Sequence, residues 1–86
     1  GERVRLYALL GGAEHRLNHH KESEHYYKLY TDASKEIYGE YSLNYINAQI
    51  YLANAQGFAG HIEDGCGNYT SAVATLKKVI KSVFLI

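Results

Sequence analysis

Apolar residues recur at intervals of three and four along almost the whole 86-residue chain, and no stretch alternates. That is the period of an α-helix rather than a strand. Proline, which would interrupt it, is absent. The pattern predicts an all-α fold of four helices in two antiparallel hairpins. A first helix is expected over about 2–17, carrying Val4, Leu6, Tyr7, Leu10, Ala13 and Leu17. The polar Asn18-His19-His20 turns the chain into a second helix over about 21–38. Its expected buried side holds Tyr26, Tyr27, Tyr30, Ala33, Ile37 and Tyr38. Gly39 follows directly, in the place of a left-handed C-cap.

Ser42 is the expected N-cap of a third helix reaching to about Asp64. Leu43, Ile46, Ile50, Ala53, Gly57 and Gly60 step down one side of it. Ala48, Leu52, Ala55, Ala59 and Ile62 make a second apolar stripe. A helix apolar over so much of its circumference needs more than one neighbour to cover it. Gly65-Cys66-Gly67 is the expected break, and a fourth helix is predicted from an Asn68 N-cap to near the end. It would bury Tyr69, Ala72, Val73, Leu76, Val79, Ile80 and Val83.

One pattern occurs twice. Tyr7-x-x-Leu10-Gly11 is followed twelve residues after the glycine by Ser23, and then by Tyr27. Ala59-Gly60 is followed at the same interval by Ala72, and then by Leu76. The overlay sets Gly11 on Gly60, 49 positions on, and repeats residue class more than identity. Small residues on facing helices let antiparallel pairs pack closely, and stacked pairs are how helical arrays are built. Two repeats are expected, over about 2–39 and 42–86, within one helical domain. The absence of methionine and the apolar run Val83-Phe84-Leu85-Ile86 suggest a fragment of a longer array. A closed four-helix bundle, whose helices show the same periodicity, is the alternative.

At Tyr7, Leu10, Gly11, Ser23 and Tyr27 the chain resembles the tetratricopeptide repeat family, and Ala59, Gly60, Ala72 and Leu76 fit a looser version. The stretch from Glu22 to Gly39 is similar to the long-helix repeats of the kinesin light chain type. The chain departs from the family pattern in several places. No proline closes either repeat, Glu14 and Glu63 replace an aromatic, and Gln56 sits where a second repeat would begin its aromatic pattern. The resemblance implies a stacked solenoid segment and a groove, lined by the first helix of each pair, that holds an extended peptide. Carried over by position, the groove residues would be Arg5, Ala8, Gly12, His15 and Arg16, with Asn54, Gly57, His61 and Asp64 from the third helix. Independently of the family, Asn47, Asn54 and His61 recur every seven residues as a polar line on an apolar helix. Asparagine both donates and accepts, which suits a peptide backbone, and Arg5 and Arg16 suit an acidic group. The same polar groups could equally face water or bond a neighbouring helix.

Nine basic and nine acidic side chains cancel, so the chain lacks the electrostatic footprint expected of a nucleic-acid or anionic-membrane partner. Lys77, Lys78 and Lys81 complement the dipole at the end of the last helix. No apolar stretch approaches a membrane span. A lone cysteine, Cys66, suits a reducing compartment, and a cytoplasmic location is expected. Asn68-Tyr69-Thr70 matches the glycosylation sequon, usable only in a secreted chain. His15 and His19, with Glu22, could form a zinc-like set, and Glu22-Ser23-Glu24-His25 contains a single Glu-x-x-His. Di-iron bundles need two such motifs. No phosphate loop, nucleophile elbow or paired-cysteine motif occurs. The expectation is a non-catalytic scaffold for protein or peptide partners, without cofactor or metal. The alternative is a small metal-binding or self-associating bundle.

Overall fold

Four helices account for nearly all of residues 1–84, which the computed structural model describes: α1 (Glu2–Arg16), α2 (His20–Tyr38), α3 (Leu43–Phe58) and α4 (Ile62–Phe84). Leu85 and Ile86, the last positions of the expected second repeat and of its apolar run, lie outside the described residues. The fold is all-α, as the periodicity predicts. The predicted boundaries of α1 and α2 hold to within a residue. Gly39 takes a φ of 91°, where a side chain would be strained. The Ser42 hydroxyl caps α3 by accepting from the Tyr45 amide at 3.1 Å.

The boundary between α3 and α4 is different from the expected one. α3 ends at Phe58, and the chain turns at Ala59-Gly60-His61, with Gly60 at a φ of 90°. Gly65-Cys66-Gly67 lies inside α4 and breaks nothing. Gly65 is buried because the α3 backbone passes over it: a Cβ there would stand 2.9 Å from the Ala53 carbonyl oxygen. This glycine serves close approach rather than a turn. Asn68 is correspondingly no N-cap; its side-chain amide donates to Gln56 Oε1 at 2.7 Å.

The helices stack in chain order, α1 on α2, α2 on α3 and α3 on α4, and among the described residues no comparable α1·α4 contact closes a ring. Their contacts are made by small residues. Gly11, Ser23, Ala33, Ser34, Ala48, Ala53, Ala55, Gly65 and Ala72 are buried, while the main apolar cluster is only Tyr27, Leu52 and Ala55 with Tyr30 packed against it. Within the α1·α2 hairpin, Ser23 Oγ donates to the Gly11 carbonyl at 2.8 Å. Between the hairpins, Thr31 Oγ1 lies 2.8 Å from the Tyr27 carbonyl and 3.2 Å from the Ala48 carbonyl, tying α2 to α3. Only the middle of each α3 stripe is covered: Ala48, Leu52 and Ala55 on one and Ile46 and Ala53 on the other are buried between α2 and α4, whereas Leu43 and Gly57 are exposed and Gly60 and Ile62 lie beyond the end of α3.

The two hairpins match each other in a different register from the overlay of Gly11 on Gly60. Gly11 is buried in mid-helix under the Tyr27 ring, whereas Gly60 is an exposed turn residue. The structural counterpart of Gly11 is Ala53, and that of Ser23 is Gly65, each 42 positions further on. The turns match atom for atom. Leu17, Asn18 and His19 amides donate to the carbonyls of Ala13, His15 and Glu14. Ala59, Gly60 and His61 amides donate to those of Ala55, Gly57 and Gln56, the same positions 42 residues later. Asn18 and Gly60 both take positive φ, which asparagine and glycine tolerate best. Val4 and Ile46, likewise equivalent, are both buried.

Candidate functional site

The sequence places Asn47, Tyr51, Asn54 and Phe58 on one stripe of α3, and their 42-residue counterparts Arg5, Leu9, Gly12 and Arg16 on one stripe of α1. The fold turns these stripes toward each other across α2. Between them lies a cleft of about 440 Å³ lined by Ala8, Leu9, Gly12, His15, Arg16, Asn47 and Tyr51, with Tyr27 and Tyr30 as its α2 floor. It continues over Asn54, Ala55 and Phe58 at one end. At the other end it meets a pocket formed by Gly1, Glu2, Val4, Arg5, Ala8, Tyr30 and Tyr38. A further pocket at Leu43, Asn44, Ile46, Asn47, Ile50 and Leu76 repeats that last one on the second hairpin.

Five of the six expected site residues therefore fall along this cleft: Arg5, His15, Arg16, Asn47 and Asn54. The sixth, His61, does not. α3 stops three residues short of it, so its imidazole leaves the polar line and contacts Glu24 Oε1 of α2 at 2.7 Å. Asp64, carried over with it, lies in the first turn of α4. Gly57 is exposed with open space over its α-carbon.

The aromatic lining went unread in the sequence. Tyr51 stacks on Tyr27 with ring centroids 5.5 Å apart, and Tyr30 lies against both. At the far end Phe58 closes a three-ring cluster, meeting His15 edge-on at 4.8 Å and stacking on His20 at 5.2 Å, with the two imidazoles 5.5 Å apart. The signal was present in the spacing of Asn47, Tyr51, Asn54 and Phe58, which is 4-3-4, but tyrosines at such intervals read equally as core. Tyr51 remains 44% exposed, so it is surface available to a ligand.

Burial raises the Tyr27 hydroxyl above the ordinary tyrosine value, with the neighbouring Tyr51 and Tyr30 adding to the shift and Arg16 opposing it. Burial raises Tyr30 as well, against a hydrogen bond with Asn47. Both stay protonated at neutral pH and present donors to the cleft. The cleft thus offers aromatic faces, amides, hydroxyls and two guanidinium groups, a set suited to holding a polar backbone between planar side chains.

The zinc-like set of the alternative reading, His15, His19 and Glu22, is not brought together as such. His15 faces the cleft, away from His19, and Glu14 takes its place: Glu14, His19 and Glu22 bring ligand atoms within 4.8 Å of one another on the outer corner of α1 and α2. His19 Nδ1 lies 3.3 Å from Glu14 Oε1, which accounts for the pair as a surface contact. His25 is exposed against Tyr26, while Glu22, its partner in the Glu-x-x-His motif, lies with Glu14 and His19 instead. Cys66 is a free, exposed thiol. No described helix is long and apolar enough to cross a membrane. Comparison with protein-family models, with characterised proteins and with solved structures finds no match to this chain.

Proposed function

We propose that the chain is a non-catalytic helical-repeat scaffold, similar to the tetratricopeptide type, that holds an extended peptide of a protein partner in the cleft between α1 and α3. The observation that carries this reading is the convergence of equivalent positions. Arg5, Leu9, Gly12 and Arg16 face the same cleft as Asn47, Tyr51, Asn54 and Phe58, one set per repeat. A repeat that presents the same helix face in each unit offers a peptide regularly spaced contacts. Asn47 and Asn54 supply backbone hydrogen bonds, the tyrosines supply stacking area, and Arg5 and Arg16 favour an acidic side chain on the ligand. A cytoplasmic setting accords with the unpaired, exposed Cys66.

The test is selection of a random peptide library displayed on phage against the chain, followed by fluorescence polarisation with the enriched peptides. Asn54→Ala and Arg16→Glu should each weaken binding about tenfold or more, the loss of roughly 1.4 kcal/mol expected for a hydrogen bond or ion pair in such a site. His61→Ala should leave it unchanged. No enrichment, or enriched peptides indifferent to Asn54 and Arg16, would overturn the reading. The metal-binding alternative rests on Glu14, His19 and Glu22. It would be favoured by a zinc-dependent rise in melting temperature that His19→Ala abolishes.

A further inference from the structure

The two outermost helices of the stack carry the two halves of its central interface. α2 meets α3 through Tyr27 on Tyr51 and through Thr31 on the Ala48 carbonyl. The positions 42 residues after Tyr27 and Thr31 are Tyr69 and Val73 on α4, and both are exposed. The positions 42 residues before Ala48 and Leu52 are Leu6 and Leu10 on α1, and these are exposed as well. Ala48 is fully buried, yet Leu6, its equivalent, is 56% exposed; Thr31 is buried, yet Val73 is 50% exposed.

The difference has one cause. Among the described residues α3 has a helix on each side, while α1 and α4 each have one bare side. The bare sides are not polar, as terminal caps of a repeat stack are. α1 shows Leu6 and Leu10 there, and α4 shows Ile62, Tyr69, Val73 and Ile80. These α4 positions are spaced 7, 4 and 7, one continuous stripe of a helix.

We infer that this chain associates head to tail with a second copy of itself, α4 of one copy receiving α1 of the next in the geometry by which α2 receives α3. The occupant follows from the repeat: the helix that fits an α2-type face is an α3-type helix, and among the described helices α1 is the other of that type. Leu6 then takes the place of Ala48, and Val73 the place of Thr31. A hydrogen-bonded contact inside the chain becomes an apolar one between copies. Because the two surfaces differ, the contact is heterologous and leaves a free end on each side, so it propagates into oligomers rather than closing as a symmetric dimer. It also extends the cleft, since the pocket at Leu43, Ile46 and Ile50 would gain a wall from the incoming α1. The inference stands apart from peptide binding, and either can fail alone.

Sedimentation velocity of the chain across micromolar to millimolar concentration tests it. The wild-type weight-average mass should rise to at least twice the 9.7 kDa of one chain and keep rising. Leu6→Asp and Val73→Asp alter opposite ends at exposed sites, and each alone should remain at 9.7 kDa across the range. Mixed in equal amounts, they retain one intact α4 face and one intact α1 face, and should form a dimer that grows no further. Leu10→Asp and Ile80→Asp serve as a second pair, and circular dichroism confirms that each variant used keeps its helices. A wild type that stays monomeric throughout, a single variant that still associates, or a mixture that stays monomeric would overturn the proposal.

Discussion

Ser23 and Gly11 stand twelve residues apart and meet at the crossing of α1 and α2, the serine hydroxyl donating to the glycine carbonyl at 2.8 Å. Both are buried, and the Tyr27 ring lies so close that a Cβ on Gly11 would stand 2.8 Å from it. Gly11→Ala should therefore force Tyr27 off the Tyr51 ring and destabilise the chain by about 1–3 kcal/mol, the cost of overpacking. Ser23→Ala leaves the volume nearly intact and removes one hydrogen bond, for about 1 kcal/mol. Urea denaturation followed by circular dichroism measures both, and equal, near-zero effects would show that the crossing is looser than described.

The second hairpin makes the same crossing with the roles reversed, and its glycines should respond with opposite signs. Gly65→Ala places a methyl against the Ala53 carbonyl, which as backbone cannot swing away, and should cost about 1–3 kcal/mol. Gly67→Ala meets nothing and lies inside α4, so it should stabilise by roughly 0.5–1 kcal/mol. Gly60→Ala, at a φ of 90°, should destabilise by about 1–2 kcal/mol. If Gly67→Ala destabilised and Gly60→Ala did not, the turn would belong at 65–67.

Alkaline pH should unfold the chain in a way traceable to two tyrosines. Burial keeps Tyr27 and Tyr30 protonated beyond the pH at which they ionise in the unfolded chain, near 10. Above that pH the unfolded state holds fewer protons than the folded one. The stability these groups contribute is therefore fully present below pH 10 and is lost as pH rises through their folded-state values. Tyr27→Phe should flatten the dependence of the urea midpoint on pH above 10, and an unchanged slope would exclude Tyr27 as a contributor.

The His61–Glu24 contact is short at 2.7 Å, but the imidazole side chain is 53% exposed. An exposed imidazole–carboxylate contact, as a hydrogen bond or as an ion pair, contributes about 0–1 kcal/mol. His61→Ala should accordingly shift stability by no more than that, as read from the urea midpoint, and a larger loss would mean that the contact anchors the turn between α3 and α4.

Glycine carried most of what was misread along the chain. Gly65 and Gly67 flank Cys66 in a cluster that locally favours a turn, and Gly60 stands five residues earlier with an equal claim. Local propensity does not separate them. What separates them is the α3 backbone, which passes over Gly65 closely enough to exclude a Cβ and leaves Gly60 in open solvent. The same contact set the repeat register, because Gly65 matches Ser23 only once both are known to sit at a helix crossing. The cleft residues on α1 and the two asparagines of α3 were legible from position, whereas His61 was lost with the helix that was to carry it.

The intervals of three and four, the missing proline, Ser42 and Gly39 were enough to determine an all-α chain, its first hairpin and the two-sided burial of α3, because helix periodicity and capping act over a few residues. Only the tertiary structure decided where α3 ends, which tyrosines line the cleft and which apolar stripes stay bare. Each of those depends on which surface lies opposite: Tyr27 is buried because α3 covers it, and Tyr69, its equivalent, is exposed because no described helix lies over that side of α4.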